Sequence, residues 1–386
     1  MSRIKVLGCG MVGSAIARIM AAKHEVSVLD ISRRSLDSLP HDIKKIKADI
    51  GDRIALQKNI KNADLVIGAV PGFMGFEVMK NTIEAGKNMV DISFFPENAF
   101  KLNALARQNN VIVVFDCGVA PGMDNILLGY HDQRMRVTGF ACYVGGLPKK
   151  RQVPFEYKAP FSPADVLEEY TRPARLKEKG KVVVKPALTD LEYIHTGKGL
   201  KLEAFNSDGL RSLLTTMKHI PEMKEKTLRY PGHAGQMALL REIGLLDKNP
   251  VKVKNKEVIP LELTSTLLFK HWKYLPGEAD FTFMRTLIDG VEEGRKIRYT
   301  YNLYDEYDPA TSMSSMARTT GLTACAAAEL ILAKKITKPG VMAPETLGRS
   351  SVCFEFILNY LKDHRIYYRK RKSIFTPPTT VHFPPS

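Results

Sequence analysis

Among its 386 residues the sequence has one tryptophan and five cysteines. Cys9, Cys117, Cys142, Cys325 and Cys353 are odd in number, scattered and without CxxC spacing. This argues against a disulfide framework and a cysteine zinc site, and predicts reduced thiols in apolar surroundings. The nine histidines form no HxxxH or His-x-His pair, so no metal site is expected. No apolar run reaches the length of a membrane span and no secretion signal opens the chain, which predicts a cytoplasmic protein with no membrane partner. Acidic residues are in deficit, 41 against 57 basic, giving a net charge of +16. The basic residues are mostly dispersed, with dense patches at Lys149-Lys150-Arg151 and in "RIYYRKRKS" from Arg365. Without a compact basic face interleaved with aromatics, nucleic acid is not the expected partner. An anionic substrate or cofactor gains from the same positive field.

The length exceeds that of one ordinary core, so two domains are expected. Hydrophobic residues at 44% and charged residues at 25% fit a globular chain. Over residues 3–116 short apolar runs alternate with amphipathic stretches: Ile4–Leu7, Val26–Leu29, Ile43–Ala48, Leu65–Val70, Met89–Ile92 and Val111–Phe115. This alternation predicts an α/β fold, a Rossmann-type doubly wound parallel sheet. "KVLGCGMVGSAIA" places Gly8, Gly10 and Gly13 directly after the first strand and at the start of a helix. Gly8 makes the tight turn, Gly10 lets the backbone approach a pyrophosphate, and Gly13 lets the helix pack on the strand. The free amides at Met11 and Val12 then face the phosphates. Asp30 ends the second strand, where a carboxylate bonds ribose hydroxyls and repels a ribose phosphate. NAD is therefore the expected cofactor, with NADP kept open by Arg33 and Arg34. Asp49 is placed at the adenine edge, and Ala69 and Val70 where small side chains let a dinucleotide lie flat. Asp91 and Ser93 read equally as groove or loop residues.

From Met123 the pattern changes. "VTGFACYVG", "FEYKAPF", "KVVVKPAL" and "LKLEAF" are short strand candidates, and "DFTFMRTLIDG" with "GRKIRYTYNLYD" reads as a hairpin. An α+β substrate domain with a mixed sheet follows. The expected boundaries are 1–119 for the cofactor domain, completed by 312–350 through the helix in "MARTTGLTACAAAELILAKK"; 120–311 for the substrate and dimerisation domain; and 365–386 for a basic, Pro-rich tail. A mixed sheet with open edges makes a homodimer the expected assembly.

"GVAPGMDN", "YVGGLP", "EAFNSDGLRSLL", "KTLRYPGHAGQMALLREIG" and "MARTTGLTACAAAELI" occur in that order. With these marks, residues 3 to about 350 resemble the saccharopine dehydrogenase-like oxidoreductases, and among them the lysine 6-dehydrogenases. Saccharopine reductases of that superfamily carry Asp-Pro-Gly and a cysteine where this sequence has Ala120 and Val144. The resemblance therefore implies NAD-dependent oxidative deamination of the L-lysine ε-amine. Its products are aminoadipate semialdehyde (cyclising to piperideine carboxylate), ammonia and NADH.

That chemistry needs a neutral amine, so a proton acceptor is required. His233, after a Pro-Gly turn at a helix start, is the first candidate, with helix capping or a bond to a backbone carbonyl as its alternative. Asp124 is the second. Arg229 and Arg211 are candidates for the substrate carboxylate, with an ordinary surface salt bridge as the alternative for each. Asp208 is either an ammonium partner or a helix N-cap, and Tyr143 is a further pocket residue. Two other readings stand beside this one: a saccharopine or carboxynorspermidine dehydrogenase/reductase, and an NAD-binding sensor without turnover. A sensor has no need of an enclosed polar set such as Arg211, Arg229 and His233.

Overall fold

A computed structural model describes residues 1–275 and 277–374. The six apolar runs of the first third form strands β1 (Arg3–Leu7), β2 (Glu25–Asp30), β3 (Lys44–Lys47), β4 (Leu65–Gly68), β5 (Met89–Asp91) and β6 (Ile112–Val114). All pair in parallel, in the order β6-β5-β4-β1-β2-β3. Helix Met11–Ala21 buries Val12, Ala15, Ile16 and Met20 from one face, the spacing that sets an apolar stripe against a sheet. The strand order reverses between β1 and β4, and a crevice opens there at their carboxyl ends.

The second sheet is mixed. It contains β7 (Arg136–Pro148), β8 (Ala174–Glu178), β9 (Lys181–Lys185), β10 (Glu192–His195), β11 (Lys201–Asn206) and β12 (Glu222–Arg229). After a separate hairpin of β13 (Val251–Val253) and β14 (Lys256–Val258), the long hairpin β15 (Asp280–Glu292) and β16 (Arg295–Glu306) completes its middle. β12 runs parallel to β7, while β15 is antiparallel to it. The chain then returns to the first sheet as helix Ser315–Leu332 and β17 (Gly340–Met342), which pairs in parallel with β6. That helix packs on Met11–Ala21, where Gly321 faces Ile16. Its first amides, at Ser315 and Met316, donate to Asp280 of the second sheet at 2.7 and 3.1 Å. One apolar cluster runs from Ile4 and Val6 of β1 through Leu322 and Ala326 to Phe140, Cys142 and Ile288. The two lobes thus share a core.

Two expectations are corrected. "FEYKAPF" is not a strand: Tyr157 and Ala159 bury against Trp272 in a satellite cluster without joining a sheet. The basic run assigned to the tail forms β18 (Tyr368–Ile374), an edge strand antiparallel to β16. Tyr368 points inward, and Lys370 and Lys372 lie over the Tyr299 ring. Pairing with β16 from Tyr368 opposite Leu303 to Ile374 opposite Ile297 makes it a strand despite its charge. The rest of the expected tail, 375–386, lies outside the described residues. Among those described, no helix is long and apolar enough to cross a membrane.

Candidate active site

A cleft of about 540 Å³ lies between the sheets, walled on one side by the β1 and β4 ends and on the other by β7 and β12. Its first half is a cradle. Gly8 has φ +100°, and a Cβ there would lie 2.4 Å from the Ala69 carbonyl oxygen. A Cβ on Gly13 would lie 2.1 Å from the Gly8 oxygen, whereas one on Gly10 would meet nothing within 4 Å. The turn and the helix contact are therefore closed to side chains, while Gly10 faces open cleft. No side chain caps helix Met11–Ala21, leaving its first amides for an anion. Asp30 accepts from the Cys9 amide at 2.6 Å and the Ser32 amide at 2.7 Å. The strand-end carboxylate thus clamps the glycine turn as well as facing the cleft. Met11, Val12, Ala69 and Val70 also line it. Asp49 does not: it is exposed and accepts from the Gly51 amide at 2.8 Å, closing its own turn. The residues present fit a pyridine dinucleotide.

The second half of the cleft has an apolar centre and polar walls. Ala120 and Val144 both face it, from the Gly118–Gly122 loop and from β7. Alternation along β12 sends Glu225, Thr227 and Arg229 into the cleft, and Lys224 and Lys226 to the other face of the sheet. Across the opening, the helix Pro163–Thr171 brings Asp165, Glu168 and Glu169, followed by Arg172. Asp165 accepts from the Gly72 amide at 3.2 Å and so ties this helix to the cofactor lobe. Seven carboxylates and two arginines line the whole cleft, an acidic interior in a basic protein.

Several residues picked from the sequence stand elsewhere. His233 is buried and outside the cleft lining. Its Nδ1–H donates to the Phe155 carbonyl at 3.0 Å, and its Nε2 accepts from the Tyr170 hydroxyl at 2.9 Å. Burial, with Arg229 close by, pushes its pKa down to about 3. With both ring nitrogens engaged away from the cleft, His233 is corrected from proton acceptor to the alternative role of bonding a backbone carbonyl. Tyr170 in turn accepts from Arg229 Nε at 3.0 Å. Arg229 lines the cleft but is also bonded to Glu169, to Tyr157 at 3.2 Å and to the Leu228 carbonyl at 2.9 Å.

Asp124 is corrected as well. It sits wholly buried behind the Gly118–Gly122 loop, accepting from the Gly122 amide at 2.9 Å, with its other oxygen toward Cys142. Burial pushes it up to about 7, yet it does not reach the cleft. Arg211 stacks over Phe94 and donates to Asp116 at 2.6 Å, outside the lining. Asp208 lines the cleft, but Arg175 grips it through two bonds of 2.8 Å. Tyr143 points to the opposite face of β7, bonding Glu192 at 3.2 Å. The period of two that aims Val144 inward turns Tyr143 away.

Three side chains not singled out from the sequence carry unpartnered buried atoms at the cleft: Asp116 Oδ1, Glu225 Oε2 and Arg172 Nη1. Asp116 sits just past β6 in the left-handed backbone region, φ +52°. Burial raises its carboxyl pKa, with Arg211 opposing. It could have been found by the rule that picked out Asp30, an acid ending an apolar strand. Glu225 and Arg172 carried no such signal. Among the described residues, no cluster of His, Cys, Asp or Glu is set to hold a metal, and all five cysteines are buried and unpaired.

A glycine cradle at a sheet's reversal point, opening on a second domain with an enclosed polar set, is the arrangement of a dinucleotide-binding protein. The chain matches the saccharopine dehydrogenase NADP binding domain over residues 4–114 and the saccharopine dehydrogenase C-terminal domain over 118–366. It belongs to the saccharopine dehydrogenase family. It is 25% identical over 246 residues to an alpha-aminoadipic semialdehyde synthase of Arabidopsis thaliana, covering 59% of this chain and 23% of that protein. The chain spans less than half the length of the aminoadipic semialdehyde synthases it matches. It is 21% identical over 382 residues to the carboxyaminopropylagmatine dehydrogenase of a Synechocystis strain, covering 90% of this chain and 93% of that one. The apo saccharopine dehydrogenase (L-Glu forming) of Saccharomyces cerevisiae superposes with a TM-score of 0.78 at 21% identity, over 97% of this chain and 100% of that one. At that identity the likeness speaks for the fold.

Proposed function

We propose that this protein oxidises the ε-carbon of L-lysine with NAD, releasing ammonium and aminoadipate semialdehyde. The observation carrying this reading is that Ala120 and Val144 face the same space. The centre of the cleft is therefore apolar, suited to lysine methylenes rather than to the extra carboxylates of saccharopine. The bound dinucleotide supplies the hydride acceptor. Before the hydride can leave, the ε-ammonium must lose a proton, because the nitrogen lone pair stabilises the iminium that forms. Asp116 is the proposed acceptor. Arg211 holds one of its oxygens, the other has no partner, and burial raises its basicity. Once that proton has passed to solvent, the same carboxylate takes a proton from the water that hydrolyses the iminium. In balance, lysine ammonium, NAD⁺ and water give aldehyde, NADH, ammonium and one proton. Arg172 and Arg229 are proposed to hold the substrate carboxylate.

NAD is proposed over NADP because the Asp30 carboxylate faces the cradle, while Arg33 is turned to Asp37 at 3.1 Å. A second reading, oxidation of a secondary amine on a longer polycation, is supported by the excess of cleft carboxylates. One assay separates them: NADH absorbance with lysine, saccharopine or a carboxyalkyl polyamine, alongside ammonia release. Lysine turnover with equimolar ammonia supports the proposal, and turnover of a secondary amine without ammonia refutes it.

A further inference from the structure

Glu225 has no role in the chemistry above, and its setting is unusual. It is 4% exposed, its Oε2 has no hydrogen-bond partner among the described residues, and it faces the cleft. An unmade bond on a buried carboxyl ordinarily costs stability, so the protein keeps it against a penalty. The surroundings are fitted to it. A Cβ on Gly209 would fall within 1.8 Å of the carboxyl, so a glycine there leaves the volume the acid occupies. The charged groups around it are Asp124, Glu169 and Asp208 on the acidic side, with Arg211 as the nearby cation. Arg211 is already paired with Asp116, Glu169 with Arg229 and Asp208 with Arg175. Glu225 is thus left without a cation of its own.

We propose that Glu225 is the recognition group for a substrate ammonium that stays charged through the reaction, bound in exchange for the Glu225 proton. This rests on the amine-oxidising reading of the same cleft. Before substrate binds, burial and the neighbouring carboxylates favour the protonated form of Glu225, its pKa raised well above the usual range. An entering ammonium supplies the missing cation; the carboxyl ionises, and its proton leaves to solvent. Glu225 and Arg229 lie four residues apart on one face of β12, about 13 Å between Cα atoms, with Thr227 between them. Side chains of that reach converge on a group above Thr227, where the α-ammonium and α-carboxylate of an amino acid can be held together. Glu225 then selects amino acids and diamines over substrates whose head is only anionic.

The test measures binding without turnover. Protein loaded with NADH is titrated with L-lysine by calorimetry in two buffers of different ionisation enthalpy, between pH 6 and pH 8. Native protein should release up to one proton per lysine and bind more tightly as pH rises. Glu225→Gln should lose that release and bind about ten- to a hundred-fold more weakly, while Glu225→Asp should keep the release at intermediate affinity. Unchanged affinity and proton count in Glu225→Gln overturns the proposal. If that variant fails to fold, loss of proton release in a folded Glu225→Asp overturns it equally. If lysine neither binds nor turns over, the substrate reading has failed. Cadaverine then replaces lysine as the probe: proton release that depends on Glu225 sustains the ammonium site, and its absence refutes it.

Discussion

Replacing Asp30 tests two consequences of one carboxylate. Its oxygens accept from the Cys9 and Ser32 amides, so it fixes the glycine turn before any nucleotide arrives. Bonds to a charged acceptor are worth about 1.5–3 kcal/mol each, and a half-exposed group belongs at the lower end. Asp30→Ala strips both amides of their acceptor and should cost about 3 kcal/mol in nucleotide-free protein. Asp30→Asn keeps one carbonyl oxygen but turns an NH₂ toward the other amide, and should cost roughly half as much. Urea unfolding of the two variants without nucleotide reads this ratio. Titration with NAD and NADP reads the second consequence: Asp30→Asn should weaken NAD about tenfold, one hydrogen bond's worth, and bring NADP closer by removing the repulsion of its phosphate. A loss below about 0.5 kcal/mol in Asp30→Ala, within the range of an ordinary surface change, would refute the clamp. Equal shifts for both nucleotides would refute charge as the discriminator.

His233→Asn should lower the melting temperature and leave the acid limb of the rate profile in place. The folded ring has its pKa depressed to about 3, so its stability contribution is full above about pH 6.5. It is lost as pH falls from there toward 3, by up to about 1.4 kcal/mol per unit; acid titration of the variant should show a flatter slope. Asp116→Asn should reduce the maximal rate by about a hundred- to ten-thousand-fold while lysine still binds the NADH-loaded protein, and a normal rate would remove Asp116 from proton transfer. Ala120→Asp combined with Val144→Cys should cut lysine turnover at least about tenfold by placing polar groups against its methylenes, as followed by NADH formation; undiminished turnover would undo the argument from the apolar cleft centre.

The cofactor sheet was legible because its signals are local. Each strand is a short apolar run, and Gly8, Gly10 and Gly13 follow the first of them in a fixed geometric relation. β12 was hidden because Glu222, Lys224, Glu225 and Lys226 blur its alternation, although Met223 and Leu228 are buried in apolar clusters. The basic run 369–372 likewise concealed β18. Site residues fared by how far their roles depend on distant chain. Asp30 acts within its own turn and was readable. His233 stood at the expected helix start, but Phe155 and Tyr170 decide what its ring does, and no pattern near residue 233 announces them. Asp208 was open to an ammonium until Arg175, 33 residues away, claimed it.

The late return of β17 to the edge of β6 has a consequence for biosynthesis. More than two hundred residues separate Val114 from Gly340, and at about 5–20 residues per second a ribosome needs on the order of ten to forty seconds to supply them. During that interval β6 has an unfilled edge, and the face of Met11–Ala21 awaiting Ser315–Leu332 is bare. The nucleotide-binding half therefore cannot complete its fold as it emerges, unlike a cassette whose strands arrive in one block. A fragment ending near residue 119 should associate through that edge or be held by chaperones. Joining the chain's ends and reopening it after β16 would place β17 and its helix ahead of β1, letting the whole sheet leave the ribosome together.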